Sequence, residues 1–213
     1  MNKRIGILMA ALLSALVLVA VTVSVTVVVR GNDQEPAAGG GGDMMGRWMA
    51  QSVPDSESDY LTEMVAHHEE AVTAATELAR SDRAQMRKLG ASIVKSQTAQ
   101  IEQMNGWLSR WYPDAGPTLY QPMMRDLSKL DGDQLDRAFL DDIIGHHMMA
   151  VMMSQHFLVS GLANHSEVTT LAKEVRDEQH AEIATMMGWY RDWFGTSWRG
   201  GPMGMNGPMG MMS

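Results

Sequence analysis

The chain repeats itself. The stretch LTEMVAHHEEAV (61–72) lines up with LDDIIGHHMMAV (140–151) at an offset of 79, and QTAQIEQMNGWLSRWY (97–112) lines up with QHAEIATMMGWYRDWF (179–194) at an offset of 82. A register shared by two separated segments marks a tandem duplication, in which the second copy has gained three residues in its internal turn. Each copy reads as two long helices, so the expected fold is all-α: a four-helix bundle made of two tandem helical hairpins, about 56–112 and 133–195. The first helix is expected to begin after Pro54 near Ser56 and run to about Arg80. The second takes Ser81 as its cap and stops before Pro113. The third starts at Asp131 to Asp133 and ends near Ser160 or Gly161, and the fourth runs from a Ser166 cap to Gly195. The link of about 113–132 is long for a hairpin and is expected to cross over the bundle.

The bundle region, 56–195, has distinctive flanks. Residues 5–29 are uncharged and mostly apolar, preceded by Lys3 and Arg4. That length predicts a transmembrane helix or signal segment over 1–30, read here as an uncleaved anchor, with the basic residues holding the N-terminus in the cytoplasm and the rest outside. Residues 31–55 read as a linker, and 196–213 as a Gly/Pro/Met-rich tail that cannot form a packed element. The absence of cysteine excludes disulfides, thiolate metal sites and a lipid on Cys. A net charge of −8 gives no support to phosphate or nucleic-acid binding.

At 100° per residue, His68 falls in the middle of an apolar face with Leu61, Met64, Val65, Ala71, Val72, Ala75 and Ala79. His147 falls likewise among Leu140, Ile143, Ile144, Ala150, Val151 and Leu158. His67 and His146 lie about 100° away, at the boundary of that face. The inward face of the second helix carries Gln97, Gln100 and Met104. That of the fourth carries Gln179, Glu182 and Met186. Buried polar groups need partners. Two readings stay open: imidazoles hydrogen-bonded to these amides and carboxylate, or a metal site in the bundle core.

Methionine is the outlier, with 21 in the chain and 19 of them after the apolar run. Met148, Met149, Met152, Met153 and His156 are expected on the face opposite His147, with Asp142 and His146 beside them. The matching positions of the first helix, Glu69, Glu70, Thr73, Ala74 and Glu77, read as a solvated face. An exposed thioether stripe suits an adaptable protein interface, with a second copy or another partner. It equally suits Cu(I), which thioethers favour and imidazoles accept. Met203, Met205, Met209, Met211 and Met212 repeat the theme in the tail, where no core can use them, and Asp43 to Met49 is a weaker instance.

The pattern M-x-x-H-H-x-x-A followed by Q-x-x-E-I-x-x-M-x-x-W closely resembles the domain of unknown function 305 family, which has a ferritin-like helical fold. The first copy carries it as Met64, His67, His68 and Ala71, then Gln97, Ile101, Met104 and Trp107. The second carries it as Ile143, His146, His147 and Ala150, then Gln179, Glu182, Ile183, Met186 and Trp189. The resemblance spans roughly 59–194, with Gln100 where the family has Glu and Ile143 where Met64 predicts Met. It implies an exported or membrane-anchored bacterial protein, and some members are linked to copper binding and tolerance.

The candidate metal-binding set is therefore His67, His68, His146, His147, Met64, Met104, Met148, Met149, Met152, Met153, His156, Met186, Gln179 and Glu182. The expected function is extracytoplasmic copper sequestration or transfer without catalysis, with metal ions, the membrane and a homodimer or copper-handling protein as partners. The alternative is an interaction module using the methionine face. A di-metal oxidase is a distant third: it needs four carboxylates with two Glu-x-x-His elements, whereas Glu182 is the one inward carboxylate expected and no such element occurs in the helices. No nucleophile–base pair or phosphate loop points to another enzyme class.

Overall fold

The computed structural model describes residues 53–200. Helix α1 spans Glu57–Thr76 and continues as a 3-10 turn, Glu77–Arg80; α2 spans Ala84–Trp111, α3 Gly132–Val159 and α4 Ser166–Phe194. The described residues contain no strand, and no helix among them is long and apolar enough to cross a membrane. The expected anchor (1–30), most of the linker and the end of the tail lie outside the described residues.

The helix starts follow local chemistry. Ser56 takes an extended backbone, accepts the Asp59 N–H at 3.1 Å and donates its hydroxyl to the Asp59 carboxylate at 2.6 Å, a reciprocal cap. The other two expected caps are displaced. Arg83, not Ser81, precedes α2, and His165, not Ser166, precedes α4. Ser81 instead accepts the Arg83 N–H at 3.1 Å. Gly195, at φ 65°, closes α4 in the left-handed conformation that glycine takes without strain.

The α1–α2 and α3–α4 hairpins join through α1 against α3. Glu57, at the start of α1, meets Asn164 and His165 at the start of α4, whereas Arg83, at the start of α2, meets Asp136 near the start of α3. Neighbouring helices therefore run antiparallel, and the chain leaving α2 must travel the bundle's length to begin α3. A 28-residue helix is about 42 Å long, well within reach of the connecting segment. The expected crossover is what the fold contains.

That crossover is pinned as it passes. Glu70 accepts the backbone N–H groups of Met123 and Met124 at 2.7 and 2.8 Å, and Asp142 takes a bidentate hold from Arg125 at 2.8 and 2.6 Å. Its own Met123 and Leu127 side chains are buried against the bundle. At the hairpin end, Gly90 lets α2 approach α1 closely: a Cβ there would stand 2.6 Å from the Ala75 carbonyl and 2.8 Å from Leu78 Cβ.

The duplication survives as paired cross-repeat latches. Glu57 and Asp136 occupy equivalent positions, as do His165 and Arg83, and both acids are fully buried. The His165 ring stacks on Trp111 at 3.6 Å, and the Arg83 guanidinium lies over the equivalent Trp193 at 4.8 Å. Each repeat thus supplies an acid to one end of the molecule and a ring-stacked donor to the other.

Candidate metal centre

The four-histidine layer forms where α1 and α3 meet. His68 and His147 point toward the second helix of their own hairpins. His68 Nε2 lies 2.9 Å from Gln100 Oε1, and His147 Nε2 lies 2.8 Å from Glu182 Oε2. The Gln100 amide donates its NH2 to Glu178 at 3.1 Å, which leaves its oxygen facing His68. Amide and carboxylate oxygens accept, so both imidazoles present Nε2–H to their partners, and the neutral form of each has its lone pair on Nδ1. A histidine whose second nitrogen is fixed by an acceptor is how proteins orient imidazole metal ligands.

Neither Nδ1 has a hydrogen-bond partner among the described residues, nor do His146 Nδ1, both nitrogens of His67, Gln97 Oε1, or either polar atom of Gln179. All four histidines are fully buried. An unsatisfied buried polar atom costs about 1–3 kcal/mol, and native cores hold few. Five of them on the four histidines make a simple hydrogen-bonded core an incomplete account, and leave donor atoms suited to a metal. Burial drives the imidazole protonation down: His68 to about 4, and His67 and His146 well below the ordinary value, with the charge of neighbouring histidines adding to the effect. These three rings stay neutral near pH 7, the form that binds metals.

His67 and His146, expected at the edge of the apolar face, are inside it and pack ring to ring at 3.6 Å. The cause is that α1 and α3 bury their flanks against each other. Two residues that periodicity did not single out complete this part. Glu70 Oε2 is 3.3 Å from His146 Nε2, and the Tyr120 hydroxyl, which donates to Glu70 at 2.5 Å, is 3.5 Å from the same nitrogen. Glu70 is only 14% exposed, so its side of α1 is not the solvated face expected. Tyr120 comes from the crossover, which has no helical period to place it.

The methionine stripe also needs correcting. Met149 and Met153 are buried, Met148 and His156 are half-buried, and only Met152 of the set, at 37%, is exposed. The neighbours of α3 bury a wide arc that takes in Met149 and Met153 but leave a strip through Asp141, Met148, Met152, Gln155 and Val159 half-buried or exposed, and Met153 packs with Tyr60, Met64 and Met104. Met186 lies in the other cluster, with Met148 against it. The structure thus brings the four histidines together with Gln100 and Glu182, and Met64, Met104 and Met153 with one another, while Gln179 is buried with no hydrogen bond to either group. Met152 and His156 stay apart from both groups.

Glu182 is not the one inward carboxylate either. Glu57, Asp136 and Asp142 are buried, but each is held by arginine, histidine or backbone donors outside the histidine layer. Among the described residues, no three His, Asp or Glu side chains form a ready-made ion site.

The sequence profile of the family described as domain of unknown function (DUF305) matches residues 57–119 and 158–213. The chain belongs to the DUF305 family. Solved structures agree. CopM in its Cu(I)-bound form superposes with a TM-score of 0.60 at 26% identity, covering 66% of this chain and 99% of CopM. A DUF305 fragment from Deinococcus radiodurans gives 0.57 at 31% identity, covering 66% and 98%. A DUF305 protein from Streptomyces coelicolor, described as a candidate secreted protein, gives 0.58 at 26%, covering 68% and 96%. CopM has also been solved with Cu(II) and with Ag. None of the curated protein sequences compared with the chain matches it.

Proposed function

We propose that this DUF305 protein works outside the cytoplasm as a copper-binding protein, sequestering Cu(I) or passing it on rather than catalysing a reaction. The observation that carries the reading is the pair of imidazoles, His68 and His147, each fixed through Nε2 and each left with an unpartnered, buried Nδ1 lone pair. Neutral imidazoles and the thioethers of Met64, Met104, Met153 and Met186 are donors that suit a soft monovalent ion. The similarity to CopM, solved with copper and silver, supports that class of metal. The apolar N-terminal segment and the Streptomyces relative support export, with the segment serving as membrane anchor.

The test is anaerobic competition for Cu(I) between the full-length protein in detergent and a colorimetric chelator. Wild type should compete. Replacing His68 and His147 together by Leu should abolish the core share of the binding, whereas replacing Met203, Met205, Met209, Met211 and Met212 by Leu should remove only sites in the tail. Failure of wild type to withdraw any Cu(I) overturns the reading.

A further inference from the structure

We infer that the groove between α3 and α4 is the docking surface for the chain's own methionine-rich tail, residues 201–213, and that this docking needs no metal. The first residues after α4 already lie there. Gly195, in the left-handed conformation, turns the chain back at the end of α4. Trp198 then donates its indole N–H to the Asp141 carbonyl at 3.0 Å, and its ring edge lies 3.8 Å from where a Cβ on Gly145 would stand. Asp141 to Gly145 is one turn of α3, on the line that continues through Met148 and Met152. Trp198, Met148 and Met187 pack against the same buried cluster. Between this returning segment and α4 lies a cleft of about 370 Å³, lined by Ala184, Met187, Gly188, Arg191, Ser197 and Trp198.

The duplication supplies an internal control. Gly145, Met148, Met152, Ala184 and Met187 stand where the first repeat has Ala66, Glu69, Thr73, Glu102 and Asn105. Two acids and two other polar side chains thus give way to apolar ones, on the hairpin whose following segment enters this groove. Met152 is left 37% exposed, and apolar surface left in water favours a cover. The tail has the matching chemistry. Residues 201–213 carry five methionines and no charged side chain, so docking desolvates no ionised group, and their glycines allow close backbone approach. Thioethers pack adaptably against one another. Reach suffices: Met152 is about 10 Å along α3 from Gly145, whereas residues 201–213 extend to about 40 Å. The apolar strip ends where Arg176 donates to Gln155 at 3.3 Å. A second copy is the poorer occupant, because two chains that each carry a net charge of −8 repel.

The chain has no cysteine, so one introduced pair reports the docking without background. Gln155→Cys, at the exposed end of the strip, is combined with Asn206→Cys in the full-length, metal-free protein in detergent, and the rate of intramolecular disulfide formation is read in a thiol–disulfide buffer. Adding Met152→Gln and Ala184→Gln, neutral changes at exposed positions, should leave the helical circular dichroism unchanged. They should slow the disulfide by at least about tenfold, because a tail that no longer docks loses its effective concentration at the strip. Hydrogen exchange on the cysteine-free protein gives the second readout. Amides of 203–213 should exchange at least about tenfold more slowly than a free chain in wild type, and at free-chain rates in Met152→Gln/Ala184→Gln. Free-chain exchange in wild type overturns the assignment, as does a disulfide rate that the two glutamines do not change. Disulfides that form mainly between chains would put a second copy in the groove and overturn it too. These samples hold no metal, so failure here leaves the copper reading standing, and failure of Cu(I) competition leaves the docking standing.

Discussion

Glu57 offers a sharp test of what holds the two repeats together. Its carboxylate is fully buried and accepts four hydrogen bonds: from the Asn164 N–H at 2.6 Å, the His165 N–H at 3.0 Å, His165 Nδ1–H at 2.6 Å and the Tyr112 hydroxyl at 2.9 Å. Glu57→Gln preserves shape but turns one oxygen into an NH2 group that faces two donors. Breaking such a buried ion-like network from one side costs about 3–5 kcal/mol, and the first-turn carboxylate forfeits a further ~0.3–1 kcal/mol of helix-dipole stabilisation. At about 2–4 °C per kcal/mol for a chain of this size, the melting temperature should fall by roughly 7–24 °C at pH 7. The pH dependence identifies the charge as the cause. Burial by itself would raise the Glu57 pKa, but the bonds from His165, Asn164 and Tyr112 together hold it below the ordinary 4.5. A carboxyl depressed in the folded state stabilises fully above its unfolded pKa, and the contribution is lost as pH falls from about 4.5 through the lower folded value. The difference between wild type and Glu57→Gln should therefore shrink as a urea titration is moved from pH 7 into that window. A difference below about 1 kcal/mol at pH 7, or one that does not change with pH, refutes the reasoning.

Gly90→Ala should destabilise by about 1–3 kcal/mol, because the new methyl meets backbone at Ala75 rather than a yielding side chain; unaltered urea unfolding counts against the close approach of α1 and α2. Gln179→Leu replaces a buried amide with no partner among the described residues, so the metal-free protein should be at least as stable as wild type in differential scanning calorimetry. A loss of more than about 1 kcal/mol there would mean that Gln179 is satisfied in solution by an ordered water.

The bundle was legible because its information is local and duplicated. Periodicity, the Ser56 cap and Gly195 set the helices, and the repeat in register set their number. The inward positions of His68, His147, Gln97, Gln100, Gln179 and Met186 followed from the same geometry. What could not be read came from tertiary cover. The crossover has no periodicity, yet it decides that Glu70 and Asp142 are enclosed and that Tyr120 reaches His146. The outward methionine face was misjudged for a related reason. A face drawn on one helix does not show where its neighbours stop covering α3: they bury Met149 and Met153 and leave Met152 exposed, and a thioether has the polarity to sit on either side of that boundary. The Ser81 and Ser166 caps failed because Arg83 and His165 are claimed by acids of the opposite repeat, an interaction invisible within either copy.

A single crossover can cover only one of two symmetry-related faces, and that bears on why the repeats have diverged. Glu70 is tolerated at low exposure because the crossover brings it two backbone N–H groups and a phenol. Its equivalent, Met149, is as buried, but no second crossover exists among the described residues to supply donors to an acid there. The methionine is thus the donor that the uncovered side can hold in a dry environment, since a thioether carries no charge to solvate. Met149→Glu, which restores the symmetry of the sequence, should then break the symmetry of the stability. The new carboxyl must either remain neutral or stay charged without partners, at a cost of about 3–5 kcal/mol for an uncompensated buried charge. Urea unfolding should show that loss at pH 7 and a partial recovery toward pH 5 as the acid protonates. Near-wild-type stability at pH 7 would show that the Met149 side already offers donors, and would remove the argument that the crossover decides which repeat keeps an acid at this position.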